Sequence, residues 1–328
     1  MRITVLSGGV GGARFLTGLR DVVDPAADSI TVIGNTADDI WLFGLRVCPD
    51  LDTVMYTLGD GIDTDRGWGR REETWQALEE LTAYGADQTW FGLGDRDLAT
   101  HIVRTQLLHA GVPLSTVTKT LCARWQPGVA LLPMTDDPVE THVVIDDPDL
   151  PGHRRTVHFQ EYWVRLHAPV AHEVTPVGAP ESRPAPGVLA ALHDADVVIL
   201  PPSNPVVSVG TILAVPGIAD AVRTTAAAVV GVSPIIAGAP VRGMADRLLP
   251  VIGVEVNALA VGAHYGSRRD GGLIDGWLVD VGDQSAVGPL EDLGIACRAV
   301  PLLMSDAPAT AQIAAAALDL ADAAPARA

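Results

Sequence analysis

The sequence predicts an α/β protein: a Rossmann-like, mostly parallel sheet with helices on both faces and an inserted helical subdomain. Three observations predict this class. An apolar, β-branched run at residues 3–6 is followed by a glycine-rich loop at 7–12 and by helical spacing over 13–22. A second strand-like run at 30–33 completes a β–α–β unit, whose crossover implies parallel strands. The same order of strand, loop and helix returns after residue 187.

The pattern changes between residues 67 and 126, where glycine turns separate three segments with helical spacing. We interpret 67–126 as an inserted helical subdomain, and residues 1–66 and 127–328 as the α/β core. The three predicted helices cover residues 72–84, 98–110 and 114–125.

The second half of the chain resumes the α/β pattern. Strand-like runs at 141–145 and 156–163 are expected to belong to the core, and the Pro- and Gly-rich stretch 174–187 is expected to be a connection. The alanine-rich tail 307–324 predicts a helix whose last residues fray. The remaining predicted elements are a helix near 188–193 and strands at 196–200, 229–232 and 300–304.

Composition excludes several classes of function. The net charge of −18 argues against nucleic acid as a partner, because phosphate backbones require a basic face. The only lysine is Lys119, so no Gly-Lys P-loop exists. The longest apolar run, 226–236, is too short to span a membrane. Three dispersed cysteines indicate reduced thiols, and the chain opens on a strand pattern without a signal peptide, so we expect a cytoplasmic protein.

The glycine-rich loop predicts an anion-accepting β–α turn. Glycines let the backbone approach a phosphate, and the following helix supplies free N–H groups. The dinucleotide fingerprint G-x-G-x-x-G fails, because its third glycine would fall at Arg14, which weakens the hypothesis of a nicotinamide dehydrogenase. A turn needed only for packing is the alternative. The candidate nucleotide-binding residues here are Gly8, Gly9, Gly11 and Gly12.

Acidic residues cluster after the second strand, at Asp38, Asp39, Asp50 and Asp52. Clustered acids repel one another unless a cation lies among them. Mg²⁺ prefers oxygen ligands and brings phosphates with it. The two acidic pairs can converge at the carboxyl edge of the sheet, where open α/β folds bind ligands. Solvated surface acids are the alternative interpretation.

Further polar and aromatic candidates surround these acids. Arg96 lies between two aspartates and can pair with them or bind a ligand oxygen. His101, one helical turn after Asp97, is interpreted either as a packed, hydrogen-bonded residue or as a ligand contact. Tryptophans near the acids can stack on a flat heterocycle or pack in the core. They are Trp41, Trp68, Trp75 and Trp90.

Two polar turns follow predicted strands in the second half. Ser203, Asn204 and Ser208 come after strand 196–200, and Arg242 follows the next strand. Hydroxyls, an amide and an arginine at strand ends are typical of nucleotide recognition, and a plain polar turn is the alternative. The histidines show no zinc-binding spacing, and no G-x-S-x-G elbow is present.

Taken together, the motifs resemble the 2-phospho-L-lactate transferase family (CofD in archaea, FbiA in actinobacteria). The resemblance covers nearly the whole chain, and its order of motifs makes it specific. It implies a homodimer acting in coenzyme F420 biosynthesis. The carrying motifs are residues 7–14, 35–39, 49–58, 67–69, 90–101, 203–210 and 233–243.

The family reaction implied here moves a phosphoenolpyruvyl or 2-phospho-L-lactyl group from a GDP-activated donor. The acceptor is the ribityl hydroxyl of 7,8-didemethyl-8-hydroxy-5-deazariboflavin (FO), and GMP leaves. The residues within these motifs resemble those of the actinobacterial branch of the family, for which the enolpyruvyl donor is implied. The alternative is a non-catalytic, nucleotide-sugar-binding regulator of the same fold (YvcK-like), which should lack the Gly-Trp-Gly and Gly-Asp-Arg-Asp block present here.

With the resemblance, the candidate residues take roles. Asp38 and Asp52 are expected to be catalytic, and Asp38, Asp39 and Asp52 to bind Mg²⁺. The expected substrate-binding residues are Asp50, Asp52, Trp90, Arg96 and His101. The expected nucleotide-binding residues are Gly8, Gly9, Gly11, Gly12, Ser203, Asn204, Ser208 and Arg242.

Overall fold

In a computed structural model, which describes residues 1–323, the chain folds around one central parallel sheet. The strands are β1 (Arg2–Ser7), β2 (Ser29–Gly34), β3 (Ile40–Leu42), β4 (Leu45–Val47), β5 (Ala130–Pro133), β6 (Glu140–Asp146), β7 (Arg154–His158), β8 (Ala171–Val177), β9 (Val197–Leu200), β10 (Ala228–Val232), β11 (Ile235–Ile236), β12 (Ala239–Pro240), β13 (Gly276–Val279) and β14 (Ala296–Ala299).

Helices cover both faces of that sheet. The α-helices are α1 (Gly9–Val22), α2 (Pro49–Leu58), α3 (Gln76–Ala83), α4 (Asp95–His109), α5 (Leu114–Trp125), α6 (Val188–His193), α7 (Val209–Ala214), α8 (Ile218–Thr224), α9 (Ala245–Leu248), α10 (Ala258–Tyr265), α11 (Val287–Asp292) and α12 (Ala307–Ala323). A π-helical turn covers Glu161–Arg165, and 3-10 turns cover Ala179–Glu181, Pro250–Ile252, Arg268–Asp270 and Val281–Ala286.

The sheet has seven strands in the order β14-β13-β10-β9-β1-β2-β5, and every pair is parallel. Strands β2 and β5 lie on one side of β1. The later strands β9, β10, β13 and β14 lie in that order on the other side. The strand order therefore reverses between β1 and β9, and ligands of open α/β sheets bind at such a switch point.

Successive residues of β1 bury on opposite faces, as strand geometry requires. Val5 joins a core with α1, α2, α5 and α12, whereas Leu6 joins a core with helices α6, α7, α8 and α10. The predicted fold class, including helices on both faces, is confirmed. Three helices lie within residues 67–126, while the division of the chain into two domains stays a prediction.

Several predicted elements need correction. α1 begins at Gly9, within the predicted glycine loop. The run at 49–52, for which no element was predicted, opens helix α2, with Pro49 at the first helical position, which suits proline. The runs at 141–145 and 156–163 form no part of the central sheet. Together with β8, they belong to a separate antiparallel sheet in the order β7-β6-β8, and a π-helical turn replaces the end of the second run.

The predicted strand at 300–304 is wrong, since the last strand, β14, ends at Ala299. The sequence analysis also missed β13, a fully buried strand of four residues that shows no alternation to detect. Fraying was predicted for the end of the tail helix; residues 324–328 lie outside the described range. None of the helices among residues 1–323 is long and apolar enough to cross a membrane.

Candidate active site

One cavity of about 870 Å³ opens at the carboxyl edge of the sheet, next to the switch point. The first turn of α1, the first turn of α2, the turn after β9 and the π-helical turn all contribute to its walls. A cavity of this size is large enough for a nucleotide and part of a second substrate.

The glycine turn lets three chain segments approach closely. A Cβ on Gly11 would collide with the carbonyl oxygen of Pro202, and a Cβ on Gly8 would lie 2.6 Å from Asp50 Oδ2. Gly9 adopts a left-handed φ of +65°. Only glycine fits these positions, so the turn after β9 and helix α2 both touch the start of α1.

The turn after β9 is fixed by its own polar side chains. Ser203 Oγ donates to the Gly8 carbonyl at 2.9 Å and accepts from the Gly8 N–H at 3.3 Å. Asn204 Oδ1 accepts from the backbone N–H of Val206 at 2.9 Å. Ser203 and Ser208 therefore pack against the glycine turn, and Ser203, Asn204 and Ser208 all line the cavity, as predicted.

Asn35 organises the acidic side of the cavity, a role that the sequence analysis missed. The residue is fully buried, and its Nδ2 donates to Asp38 Oδ2 at 3.0 Å and to Asp50 Oδ2 at 2.9 Å. Its Oδ1 accepts from the Thr211 hydroxyl at 2.8 Å. One amide thus joins the loop after β2 to the first turn of α2.

Burial governs the protonation of these two acids. It raises the pKa of Asp38 well above its usual value, and the neighbouring charge of Asp50 raises it further. Burial also raises the pKa of Asp50 to about 6, although the Asn35 hydrogen bond opposes the shift. Asp38 Oδ1 is buried and makes no hydrogen bond of good geometry in residues 1–323, although the Thr141 hydroxyl acts to lower the pKa of this carboxyl. A cation bound beside both carboxylates would relieve this repulsion and supply the missing partner.

Asp39 and Asp52 are instead paired with arginines. Asp39 Oδ2 lies 3.3 Å from Arg46 Nη2, and Asp39 does not line the cavity. Burial raises the pKa of Asp39 to about 7 against the pull of Arg46. Asp52 lines the cavity, but its Oδ1 accepts a hydrogen bond from the buried Arg104. The structure thus does not gather Asp38, Asp39 and Asp52 as one metal site.

More generally, no group of three or more His, Cys, Asp or Glu side chains within residues 1–323 is arranged to hold a metal. A magnesium ion seldom needs such a cage, because it usually binds one or two carboxylates, substrate phosphates and water. The pair Asp38 and Asp50 fits that mode. Asp50, expected to bind substrate and to support the metal ligands, lines the cavity beside Asp38, whereas Asp39 does not.

His101 is only 1% exposed, yet it lines the cavity as the sequence analysis expected. Its Nε2 lies 3.4 Å from Asp97 Oδ2, and the Tyr56 hydroxyl donates to Asp97 Oδ1 at 2.6 Å. Burial works to raise the pKa of Asp97, but the contact with His101, the Tyr56 hydrogen bond and the charge of Arg104 outweigh it and hold that pKa below its usual value.

Four expected residues lie outside the cavity wall: Gly12, Asp39, Trp90 and Arg96. The Arg96 guanidinium is half exposed and pairs with Glu72 Oε2 at 3.1 Å. Trp90 packs edge-on against Phe91 in a small core of its own. Its neighbour Phe91 lines the cavity instead. Gly12 packs beneath the glycine turn, where a Cβ would collide with Ser7 Oγ.

The structure adds cationic and aromatic residues that the sequence analysis gave no role. Arg14, on α1, and Arg66, before the Gly-Trp-Gly motif, line the cavity together with Arg242. Arg66 packs over the rings of Trp68 and Trp75, 5.1 and 5.0 Å from their centroids. Arg14 ends the motif at 7–14 and Arg66 directly precedes the motif at 67–69, so their positions could have indicated a role in the site.

Trp163 had no such signal, because its segment was predicted as a strand. The residue belongs to the π-helical turn, which lines the cavity, and its side chain is 40% exposed. Gln160 Nε2, just before that turn, donates to the Asp38 carbonyl oxygen at 3.0 Å. The segment that follows β7 therefore places an aromatic side chain in the cavity wall and is tied by a hydrogen bond to the acidic side of the cavity.

A parallel sheet with its switch point at a glycine turn, flanked by buried acids, defines a Rossmann-like α/β protein suited to a phosphorylated ligand. The sequence model of the 2-phospho-L-lactate transferase CofD family matches residues 3–290. The chain belongs to this family, and it is an enzyme of the transferase class.

Three relatives show how close the similarity is. The chain is 63% identical over 323 residues to the phosphoenolpyruvate transferase of Streptomyces griseus, which covers 98% of this chain and 99% of the relative. It is also 63% identical over 323 residues to that of Streptomyces coelicolor, covering 98% of each protein. Identity to the Thermobifida fusca phosphoenolpyruvate transferase is 61% over 328 residues, again covering 98% of each.

Solved structures agree on the fold. The crystal structure of a UPF0052-family protein from Bacillus halodurans matches with a TM-score of 0.59 and 18% identity, covering 96% of this chain and 98% of that one. Identity this low shows the shared fold alone. The family match, and not the fold, therefore separates this chain from other proteins with the same architecture.

Proposed function

We propose that this protein is the phosphoenolpyruvate transferase of coenzyme F420 biosynthesis. It transfers the phosphoenolpyruvyl group from a GDP-linked donor to the ribityl hydroxyl of FO and releases GMP. The observation that carries the proposal is identity of 61–63% to phosphoenolpyruvate transferases over 98% of this chain. The cavity supports it, because phosphate-binding features and buried acids line one space.

The donor nucleotide would bind at the glycine turn. The Gly9 N–H donates a hydrogen bond to Asp50, and the N–H groups of the next residues in the first turn of α1 suit the phosphates. Ser203 and Ser208 lie against Gly8 and line the same cavity.

Arg14, Arg66 and Arg242 supply positive charge along the same cavity. Guanidinium groups bind phosphate and carboxylate oxygens in a planar, two-bond geometry, which also suits the carboxylate of the transferred group.

Asp38 and Asp50 would hold Mg²⁺, since both are buried and Asp38 Oδ1 makes no hydrogen bond of good geometry within residues 1–323. Bound there, Mg²⁺ would neutralise phosphate oxygens of the donor. The protein's own contribution is orientation: Asn35 fixes both carboxylates before any ligand arrives. Preorganisation of this kind lowers the cost of reaching the transition state.

The acceptor hydroxyl would lie beside Asp52. This carboxylate lines the cavity, and its Oδ2 is buried with no hydrogen-bond donor in the described chain. An unpartnered carboxylate oxygen can accept a hydrogen bond from an alcohol and draw off its proton. The rings of Trp68, Phe91 and Trp163 line the cavity and suit the flat deazaflavin.

The test mixes the purified protein with FO, the GDP-linked enolpyruvyl donor and Mg²⁺, and follows GMP and the acidic deazaflavin product by chromatography. The lactyl donor is assayed in parallel, and we expect the enolpyruvyl donor to be preferred. A D52N variant, shown by circular dichroism to be folded, serves as the inactive control. Nucleotide binding without any GMP release would contradict the proposal and favour a regulator.

We also propose a cytoplasmic homodimer. The residues described contain no membrane-spanning helix, and the three cysteines are free thiols. Light scattering coupled to gel filtration measures the mass directly, and a mass near 34.3 kDa, that of one chain, would contradict the dimer.

A further inference from the structure

On helix α4 every fully buried residue is polar or charged, while two apolar residues lie on an exposed face. Its buried residues are Asp97, Thr100, His101, Arg104 and Thr105. Ile102 and Val103, on the other side, are 44% and 42% exposed. Burying charge on a helix is costly unless each charge is paired, so this face needs a reason beyond packing.

The buried face of α4 meets the cavity side of α2. Asp97, His101 and Arg104 follow one another at helical spacing, and Asp52 and Tyr56 do the same on α2. The two rows are joined by the Tyr56–Asp97 hydrogen bond at one end and by the Arg104–Asp52 pair at the other. Arg104 does not line the cavity, whereas Asp52 does.

Arg104 fixes the orientation of both neighbours. Its Nη2 donates to Asp52 Oδ1, and its Nη1 lies 3.0 Å from His101 Nδ1. A guanidinium can only donate hydrogen bonds, so His101 Nδ1 must accept. The ring proton of His101 is then on Nε2, which lies 3.4 Å from Asp97 Oδ2.

The charge on Arg104 is secure in this setting. Burial alone would lower the pKa of the guanidinium, but the Asp52 carboxylate raises it above its usual value. The guanidinium is therefore charged and donates hydrogen bonds at neutral pH. Asp52 is left with one oxygen held from behind and one oxygen, Oδ2, that has no donor in residues 1–323.

We propose that Arg104 is a positioning residue for the transfer reaction: it clamps Asp52 Oδ1 from behind the cavity so that Oδ2 stays aimed at the acceptor hydroxyl. This inference rests on the proposed function. Without the clamp, the carboxylate can rotate and bind its other neighbours, and the acceptor hydroxyl loses its defined partner. Arg104 itself touches neither substrate.

The test is a double-variant cycle on the transfer reaction. We expect R104M to lower kcat by about 10- to 100-fold, while the KM for the GDP-linked donor stays within about threefold of wild type. If Arg104 acts through Asp52, R104M adds nothing in a D52N background, so D52N and D52N/R104M have the same kcat. Losses that multiply in the double variant, or an unchanged kcat in R104M, would overturn the proposal.

A matched control separates positioning from general stability. Arg268 is also buried, at 3% exposed, and pairs with Asp275 at 2.7 Å, but it lies outside the cavity. We expect R104K and R268K both to lower the Tm, and only R104K to lower kcat. If R104M does not fold, R104K takes its place in the cycle. Equal effects of R104K and R268K on kcat would contradict the proposal.

A second measurement needs no turnover and so separates this inference from the proposed function. Nitrogen-15 NMR of labelled histidine, with the H101N variant to assign the signal, reports the tautomer of His101. We expect the Nε2–H tautomer in the wild-type protein and a shift in the tautomer ratio in R104K. An Nδ1–H ring in the wild type would overturn the arrangement even in an active transferase. An inactive wild-type protein with the expected tautomer would count against the proposed function alone.

Discussion

Asp38 and Asp50 accept hydrogen bonds from the same amide nitrogen, Asn35 Nδ2, at 3.0 and 2.9 Å. The two acids come from different elements, the loop after β2 and the first turn of α2. Both are buried, and burial raises the pKa of each. Because the fold holds two poorly solvated acids together, it favours a bound cation whenever both are ionised.

The first prediction concerns divalent-cation dependence. We expect D38N and D50N each to lower the transfer rate on the order of 100-fold and to raise the Mg²⁺ concentration needed for half-maximal rate. Asp39 is buried to the same degree but faces Arg46, so D39N is the matched control and should leave the Mg²⁺ requirement unchanged. The measurement is the transfer rate over a Mg²⁺ titration. An equal rise in the half-maximal Mg²⁺ concentration in all three variants would contradict the assignment of Asp38 and Asp50 as the Mg²⁺ ligands.

The second prediction concerns stability and pH without divalent cations. The pKa of Asp39 rises from 3.8 to about 7 in the folded protein, so the folded state holds this proton more tightly than the unfolded chain does. Its contribution to the free energy of unfolding is therefore largest below about pH 4 and falls as the pH rises toward 7, by at most about 1.4 kcal/mol per pH unit.

In the D39N variant this side chain is an amide, which does not titrate between pH 4 and 7. Urea unfolding between pH 4 and 7 should therefore give a flatter pH dependence for D39N than for the wild type. The comparison uses slopes, because the altered contact with Arg46 shifts the whole D39N curve. Parallel curves would show that Asp39 titrates near its ordinary pKa in the fold.

The third prediction tests the aromatic side chains in the cavity wall. Trp163 and Trp41 are similarly exposed, at 40% and 42%, but only Trp163 lines the cavity. We expect W163A to weaken FO binding by about 10- to 100-fold, since stacking on a base is worth about 1–3 kcal/mol, and W41A to leave it unchanged. Titration of FO fluorescence measures both, and GDP binding in W163A shows whether the indole instead contacts guanine.

The fourth prediction tests the glycine turn. A Cβ at residue 11 would collide with the Pro202 carbonyl oxygen, a backbone atom that cannot move without shifting the turn after β9. We expect G11A to abolish measurable GDP binding and to lower the Tm. Gly288 lies in helix α11, and a Cβ added there would have no described atom within 4 Å, so G288A is the control and should be neutral or slightly stabilising. Calorimetric GDP binding by G11A at wild-type affinity would refute the close approach.

Sequence reasoning worked best where the information was local. Strands β1 and β2 and helices α5 and α6 each have a pattern contained within about twelve residues, and the structure has them where predicted. It failed at β13 and at residues 300–304, where short apolar runs have no periodicity that distinguishes strand from loop. It also placed the 141–163 strands in the wrong sheet, because strand pairing is a non-local property.

The site shows the same division. The sequence predicted which acids matter as a group, since their density near strand ends was visible. It could not predict that Asp38 would be tied to Asp50, or that Arg96 would turn outward to Glu72. Arg104 received no attention because it looks like any arginine on a helix.

By itself, the sequence determined the fold class, the place of the glycine turn and the edge of the sheet where chemistry gathers, because hydrophobic period and glycine position act over short distances. The tertiary structure alone decided which charges are neutralised and which are left open. Asp52 meets Arg104 across 52 residues of chain, and Asn35 meets Asp50 across 15. Such partners are selected by the packing of helices against the sheet, and only a closely packed interior makes an unpaired carboxylate oxygen costly enough to mark where a ligand belongs.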